Sequence, residues 1–184
     1  RIFHVESGKT LTLKNLTLKN GKKAGGNGGG IYSEGTLTLE NTNIEGSTAA
    51  NGGAISNRGT LSITGGTFSK NTATSDGGAI YSNSGTVTLN NAVIGGTSAA
   101  DANKAQNGGG ICLDGASSTG TMTGGAISYN EAKHLTTVSQ GGGIYILNSA
   151  SFTMNSGTIS NNKSIKNSSA VSYGGGVCIK GNGS

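Results

Sequence analysis

Apolar side chains in this chain recur in short alternating bursts, not in helical stripes. A Gly-Gly-x-Ile/Val element places Ile31, Ile55, Ile80, Ile111, Ile144 and Val177 at intervals of 24, 25, 31, 33 and 33 residues. A second burst of the form Thr-Leu-Thr-Leu follows each Gly-rich start: Leu11 and Leu13, Leu37 and Leu39, Leu61 and Ile63, Val87 and Leu89. It weakens later to Met122 alone and to Phe152 with Met154. Five residues beyond Leu13, Leu39, Ile63, Leu89, Met122 and Met154 stand Leu18, Ile44, Phe68, Ile94, Ile127 and Ile159. Period-2 alternation marks strands with one buried face, and none of these segments is long enough for the i, i+3, i+4 spacing of a helix.

The repeat therefore predicts an all-β fold, a right-handed parallel β-helix with three short strands per coil and about six coils. The hand follows from the strong preference of parallel crossovers. Coils stacked at about 4.8 Å bring equivalent residues into ladders. Gly124-Gly125-Ala126-Ile127 imitates a coil start, but its offset from Met122 assigns it to the third strand with Gly65-Gly66-Thr67-Phe68. Asn71, Asn130 and Asn162 each follow a third-strand apolar residue by three positions and are expected to stack through their amides.

Composition sharpens this picture. With 35 glycines, no proline and only 11% charged residues, the chain could be disordered but for its apolar periodicity. The glycines are not every third residue, so collagen is excluded. They suit sharp corners where successive coils pack closely. The net charge of +5 is scattered apart from Lys14, Lys19, Lys22 and Lys23, with no basic stripe interleaved with aromatics, so nucleic acid is not an expected partner. No apolar run is long enough to span a membrane. The chain reads as a single β-helix domain, 1–184, and as a fragment of a longer surface protein.

Gly52-Gly53-Ala54-Ile55, Gly77-Gly78-Ala79-Ile80 and Phe68-Ser69-Lys70-Asn71 resemble the GGA(I/L/V) and FxxN repeats of polymorphic outer-membrane proteins, the chlamydial autotransporter adhesins. Only Phe68 to Asn71 is a strict FxxN; elsewhere Ile replaces Phe, and Ser47 and Thr97 stand for Asn. The resemblance implies a β-helical protein at the cell surface or outside the cell, binding a host or bacterial surface protein or glycan.

Many β-helices cleave polysaccharides, a reaction that would need catalytic groups on this chain. Glycoside hydrolysis needs two carboxylates flanking the bond. Placed on the coil register, no two of Glu6, Glu34, Glu40, Glu45, Asp76, Asp101, Asp114 and Glu131 share an outward strand face in adjacent coils. No His/Cys spacing suggests a metal site. The expectation is a non-enzymatic protein with no cofactor. A pectate-lyase-like β-helix with its active site outside this fragment is the second reading. An ice-binding surface, suggested by outward Thr-x-Thr pairs such as Thr36/Thr38 and Thr86/Thr88, is the third; threonine's liking for exposed strand positions explains those pairs equally well.

Two surfaces stand out as ligand sites. One is an outward first-strand column of Tyr32, Ser56, Tyr81, Cys112, Tyr145 and Cys178, whose tyrosines could stack on sugar rings. Cys112 and Cys178 lie two coils apart in it, roughly 9 to 10 Å, too far for a disulfide. The other surface is a set of long connections, about 95–107, 128–140 and 160–173, carrying Tyr129, His134, Leu135, Val138, Ile165, Val171 and Tyr173. Insertions confined to one edge of a solenoid often mark its binding side; equally, these apolar residues can fold back over the flank.

Overall fold

The computed structural model describes residues 1–134, 138–166 and 171–181, and in it the chain winds as a parallel β-solenoid. The first wall holds seven strands: Phe3–Val5, Ile31–Ser33, Ile55–Asn57, Ile80–Asn83, Ile111–Asp114, Ile144–Leu147 and Val177–Lys180. The second begins with Thr10–Lys14, Thr36–Glu40, Thr60–Thr64 and Thr86–Asn90. The third begins with Thr17–Lys19, Asn43–Glu45, Thr67–Ser69 and Ala92–Gly95. Two long strands, Thr119–Ser128 and Ser151–Ser160, then run through the second and third walls without a break. The second-wall threonines stack as expected, for example Thr36, Thr60, Thr86 and Thr119 in direct register.

The apolar ladders form in the expected register. Ile55 pairs with Ile31 on one side and Ile80 on the other, and all three are fully buried. Phe68 lies between Ile44 and Ile94, and Ile127 of the false coil start pairs with Ile94. In the last coil Met154 and Ile179 are 39% and 75% exposed.

A fourth wall lies where the sequence suggested only connecting loops. Lys22–Asn27, Thr48–Asn51, Thr72–Ala73, Lys104–Ala105, Glu131–Lys133 and Lys163–Ile165 pair in parallel along its length. The segments expected to project as long loops thus contribute strands to the barrel wall. The apolar pattern does not mark this wall because its inward residues are small: Ala49, Ala73, Ala105 and Ala132 are buried, with no large apolar residue among them to signal a strand.

What stands behind the fourth wall's corner is polar. Asn71, Asn103 and Asn130 are fully buried and continue to Asn162. Each amide donates to the next rung and to a third-wall carbonyl: Asn71 Nδ2 to Asn103 Oδ1 (3.0 Å) and Ile44 O (2.9 Å), Asn103 Nδ2 to Asn130 Oδ1 (2.9 Å) and Phe68 O (2.7 Å). Ser47 fills the rung below, its N–H donating to Asn71 Oδ1. Thr97 does not occupy the rung above Asn71; Asn103 does. Residues 97–100 lie exposed and lead into a 3-10 turn, Ala99–Asp101, so the insertion is accommodated outside the ladder.

The coils approach most closely at the Gly-Gly corner. Gly77 has φ +65°, and a Cβ on Gly78 would sit 2.1 Å from the Gly109 carbonyl oxygen. Only hydrogen fits there, so the glycine pair sets the stacking distance for the first wall.

The amide ladder yields a direct expectation. Asn71→Ala leaves the Ser47 N–H and the Ile44 carbonyl without their side-chain partner. At about 1–3 kcal/mol per stranded buried group, the cost should be about 2–5 kcal/mol. Urea unfolding should show a lowered midpoint, and hydrogen exchange should show faster exchange at the Ser47 amide. A cost under about 1 kcal/mol with Ser47 still protected would mean that the ladder is not a stabilising element.

Candidate functional site

Parallel stacking turns the outward residue of each first-wall strand into a continuous column. It begins at His4, one coil earlier than the sequence indicated, and continues through Tyr32, Ser56, Tyr81, Cys112, Tyr145 and Cys178. Tyr32 and Tyr81 are half-buried, as an outward column requires. Farther along, Cys112 and Tyr145 are only 1% and 4% exposed. Beside this upper part lies a cleft of about 590 Å³ lined by Val138, Gln140, Tyr173 and Cys178, among others. Burial pushes the Cys112 thiol well above its ordinary pKa and carries the Tyr145 hydroxyl up to about 12.

A second column flanks the first. The residue before each Gly-Gly pair, Asn27, Asn51, Asp76, Asn107, Gln140 and Tyr173, stands at the corner where the fourth wall meets the first. Asn51 Nδ2 donates to Asn27 Oδ1 at 3.0 Å, the Asp76 N–H donates to Asn51 Oδ1 at 3.2 Å, and Asn107 Nδ2 donates to Asp76 Oδ1 at 3.0 Å. This row is written in the sequence as a polar residue ahead of nearly every glycine pair, where the glycines are the more conspicuous signal.

Across the Tyr column the carboxylates are held in networks. Glu34 receives the Tyr32 hydroxyl at 3.1 Å and faces His4 Nε2 at 3.1 Å, while the His4 and Tyr32 rings stack 5.1 Å apart. Hydrogen bonds from His4 and then Tyr32 hold the Glu34 carboxyl below its usual range. The Arg1 guanidinium lies 4.7 Å from the centre of the Tyr32 ring. One coil pair further, Asp114 accepts from the Tyr81 hydroxyl (2.8 Å), Asn83 Nδ2 (3.2 Å) and Asn148 Nδ2 (2.7 Å). Desolvation, then this bond to Asp114, pushes the Tyr81 hydroxyl up.

Asp76 and Asp114 act on the same buried group, the Cys112 thiol, and on each other. The strand register did not reveal this proximity, because Asp76 belongs to the corner row and not to a strand. Burial raises the Asp76 carboxyl, with Asp114 adding to the rise and Asn107 and His134 opposing it.

The expected site residues therefore divide into groups. Tyr32 and Tyr81 flank Ser56 on the first wall. Tyr145 lies farther up the same column, and Tyr173 stands 53% exposed beside Cys178. His134 is within electrostatic reach of Asp76. Tyr129 belongs to another region: with φ +59° it turns the corner between the third and fourth walls. Of the loop residues expected to be apolar contacts, Val138 and Ile165 are half-buried, Val171 is 50% exposed, and Leu135 lies outside the described residues.

Residues 65–83, from Gly65-Gly66 through Phe68-Ser69-Lys70-Asn71 to the first-wall strand at Ile80, match the Chlamydia polymorphic membrane protein repeat. This coil is similar to a repeat of the polymorphic-membrane-protein type. The match covers most of one turn: a third-wall strand, the amide rung, the fourth wall, the glycine corner and a first-wall strand. No curated protein matches the chain, and no solved structure does. Repeat and β-helix together suggest a surface, adhesin-like protein. Among the described residues no helix is long and apolar enough to cross a membrane.

Two outcomes are expected from the titratable groups. Cys112 and Cys178 are both free. Unreduced, denatured protein should therefore titrate two thiols, and in the native state Cys112 should resist a charged thiol reagent at neutral pH; finding no free thiol in the unreduced monomer would refute the assignment. Asp76 gives a pH signature. A carboxyl raised by folding binds its proton more tightly in the folded chain, so its contribution is most favourable below the ordinary Asp range and is lost as pH rises through the folded value. Asp76→Asn keeps an acceptor for Asn107 and removes that loss. Urea midpoints across a pH series should show a flatter decline and equal or greater stability at neutral pH. A variant less stable than wild type at neutral pH, with its slope unchanged, would contradict this account.

Proposed function

We propose that this chain is a non-enzymatic, adhesin-like surface module that binds a host or bacterial surface protein or glycan through the outer face of its first wall and the neighbouring corner row. The observation that carries this reading is the two parallel columns themselves. They align tyrosines, amides and charged groups at one-coil spacing on a rigid support, which suits recognition of an extended partner.

The state of the carboxylates favours binding over catalysis. Asp114 is occupied by three donors and Glu34 by two contacts. Glu40 pairs with Lys14, and Glu45 with Lys19 and Lys70. Among the described residues Asp76 and Asp114, whose charges act on each other, give the enzymatic reading its most definite form. The threonine rows support an ice-binding reading less well, because they are accounted for by strand propensity alone.

A glycan array and a capture assay on whole cells, followed by product analysis of any bound glycan, separate these readings. The expected result is saturable binding with no turnover, and no thermal hysteresis. Release of shortened saccharides, abolished by Asp76→Asn or Asp114→Asn, would replace the adhesin reading with the enzymatic one.

A further inference from the structure

The first-wall column is interrupted once at its accessible end. Where the neighbouring coils present Tyr32 and Tyr81, the coil between them presents Ser56. The two tyrosines are thus two coil rises apart, roughly 9.6 Å, with a small hydroxyl side chain between them. At this point there is a cleft of about 160 Å³ lined by Asn27, Asn51, Ser56, Arg58, Tyr81 and Asn83. Every lining residue carries a polar group, and the only aromatic surface among them belongs to Tyr81.

The free hydrogen-bonding capacity of this lining is specific. Asn51 is committed, donating to Asn27 and accepting from the Asp76 N–H. Asn27 accepts from Asn51, but its own NH2 has no partner among the described residues. Asn83 donates to Tyr81 and Asp114, which leaves its carbonyl oxygen free. Arg58 lies beside the Tyr32 hydroxyl, and its charged form is favoured first by that contact. Among the described residues no carboxylate is within ion-pairing distance of its guanidinium. Among the described residues the cleft therefore offers an unpaired donor from Asn27, the exposed guanidinium of Arg58, an unpaired acceptor from Asn83, and a lining that is almost wholly polar.

We propose that this cleft binds a single saccharide ring, seated over Ser56 against Tyr81, with its hydroxyls bridging Asn27, Arg58 and Asn83. A sugar ring presents adjacent hydroxyls that both donate and accept, which suits a polar lining with both kinds of group. A peptide side chain or a simple anion would leave part of this set unmatched. The volume is below the several hundred Å³ of sites for drug-sized ligands, so one ring is held at a time. The proposal rests on the binding reading of this face and adds its ligand class.

The test exploits the interrupted column. Ser56→Tyr places there the residue found at both neighbouring coils and at Tyr145, and fills the cleft. Arg58→Ala removes the exposed donor without touching the core. Saturation-transfer NMR of the 184-residue chain would be run with methyl α-glucoside, methyl β-galactoside, N-acetylglucosamine, glucuronic acid and N-acetylneuraminic acid. At least one should bind in the range of about 1 mM. Ser56→Tyr should abolish that binding, and Arg58→Ala should weaken it by about tenfold. Circular dichroism should show both variants folded; if Ser56→Tyr does not fold, Arg58→Ala alone decides. A response confined to glucuronic and N-acetylneuraminic acids would support the proposal and assign Arg58 to their carboxylate. No binding by any of the five sugars would overturn it, as would binding that the folded variants leave unchanged. Wild-type protein that still captures cells while failing with all five sugars would sink the saccharide cleft and leave the adhesin reading standing. Sugar binding without cell capture would do the reverse.

Discussion

Backbone hydrogen bonds between successive coils are the constraint from which the other features follow. Each coil is too short to enclose a core of its own, and its strands, most of them two to six residues long, would not persist alone. Parallel pairing along the whole stack solves both problems, because each strand's inward residue is covered by its equivalents above and below. The close approach depends on the glycine corner. A side chain at Gly78 would collide with the Gly109 carbonyl oxygen, and the same geometry recurs at Gly53 against Gly78 and at Gly142 against Gly175. Stability in such a stack is largely a sum of nearest-neighbour terms.

That constraint also makes the outer surface periodic. A residue type placed once per coil becomes a column, and a single change within a column becomes a local feature with defined walls. Ser56 between two tyrosines is one example. The buried asparagine ladder uses the same arithmetic inward: every amide bonds both to its neighbouring rung and to a carbonyl of the third wall, so the corner with the least apolar cover is held by fully partnered polar groups. Buried amides without such partners would be costly.

The apolar ladders were legible because Ile, Leu and Phe alternate with polar residues at a fixed five-residue offset. Sorting Gly124-Gly125-Ala126-Ile127 into the third wall by that offset matched the pairing of Ile127 with Ile94. The fourth wall was not legible, since an inward alanine such as Ala73 or Ala105 leaves no contrast against a Gly- and Ser-rich background. Asn103 was hidden for another reason: an insertion displaced it from the three-residue offset that located Asn71, Asn130 and Asn162. At the candidate site the tyrosine column followed directly from register, whereas Arg58, Asn27 and Asn83 matter through side-chain placement that a one-dimensional pattern does not carry. The proximity of Asp76 and Asp114 belongs with these, because one lies in a corner and the other on a strand.

The insertion after Ile94 has a bearing on how such a surface can diversify. Coil lengths range from 24 to 33 residues, yet Ile80, Ile111 and Ile144 remain in direct register. Most of the added residues are taken up between the third and fourth walls and at the entry to the glycine corner, with a few between the first and second walls. Length at these places is consequently decoupled from position everywhere else on the coil. A lineage can lengthen, shorten or replace those segments without re-indexing a single column, so loop length and column chemistry can evolve on different parts of the same turn.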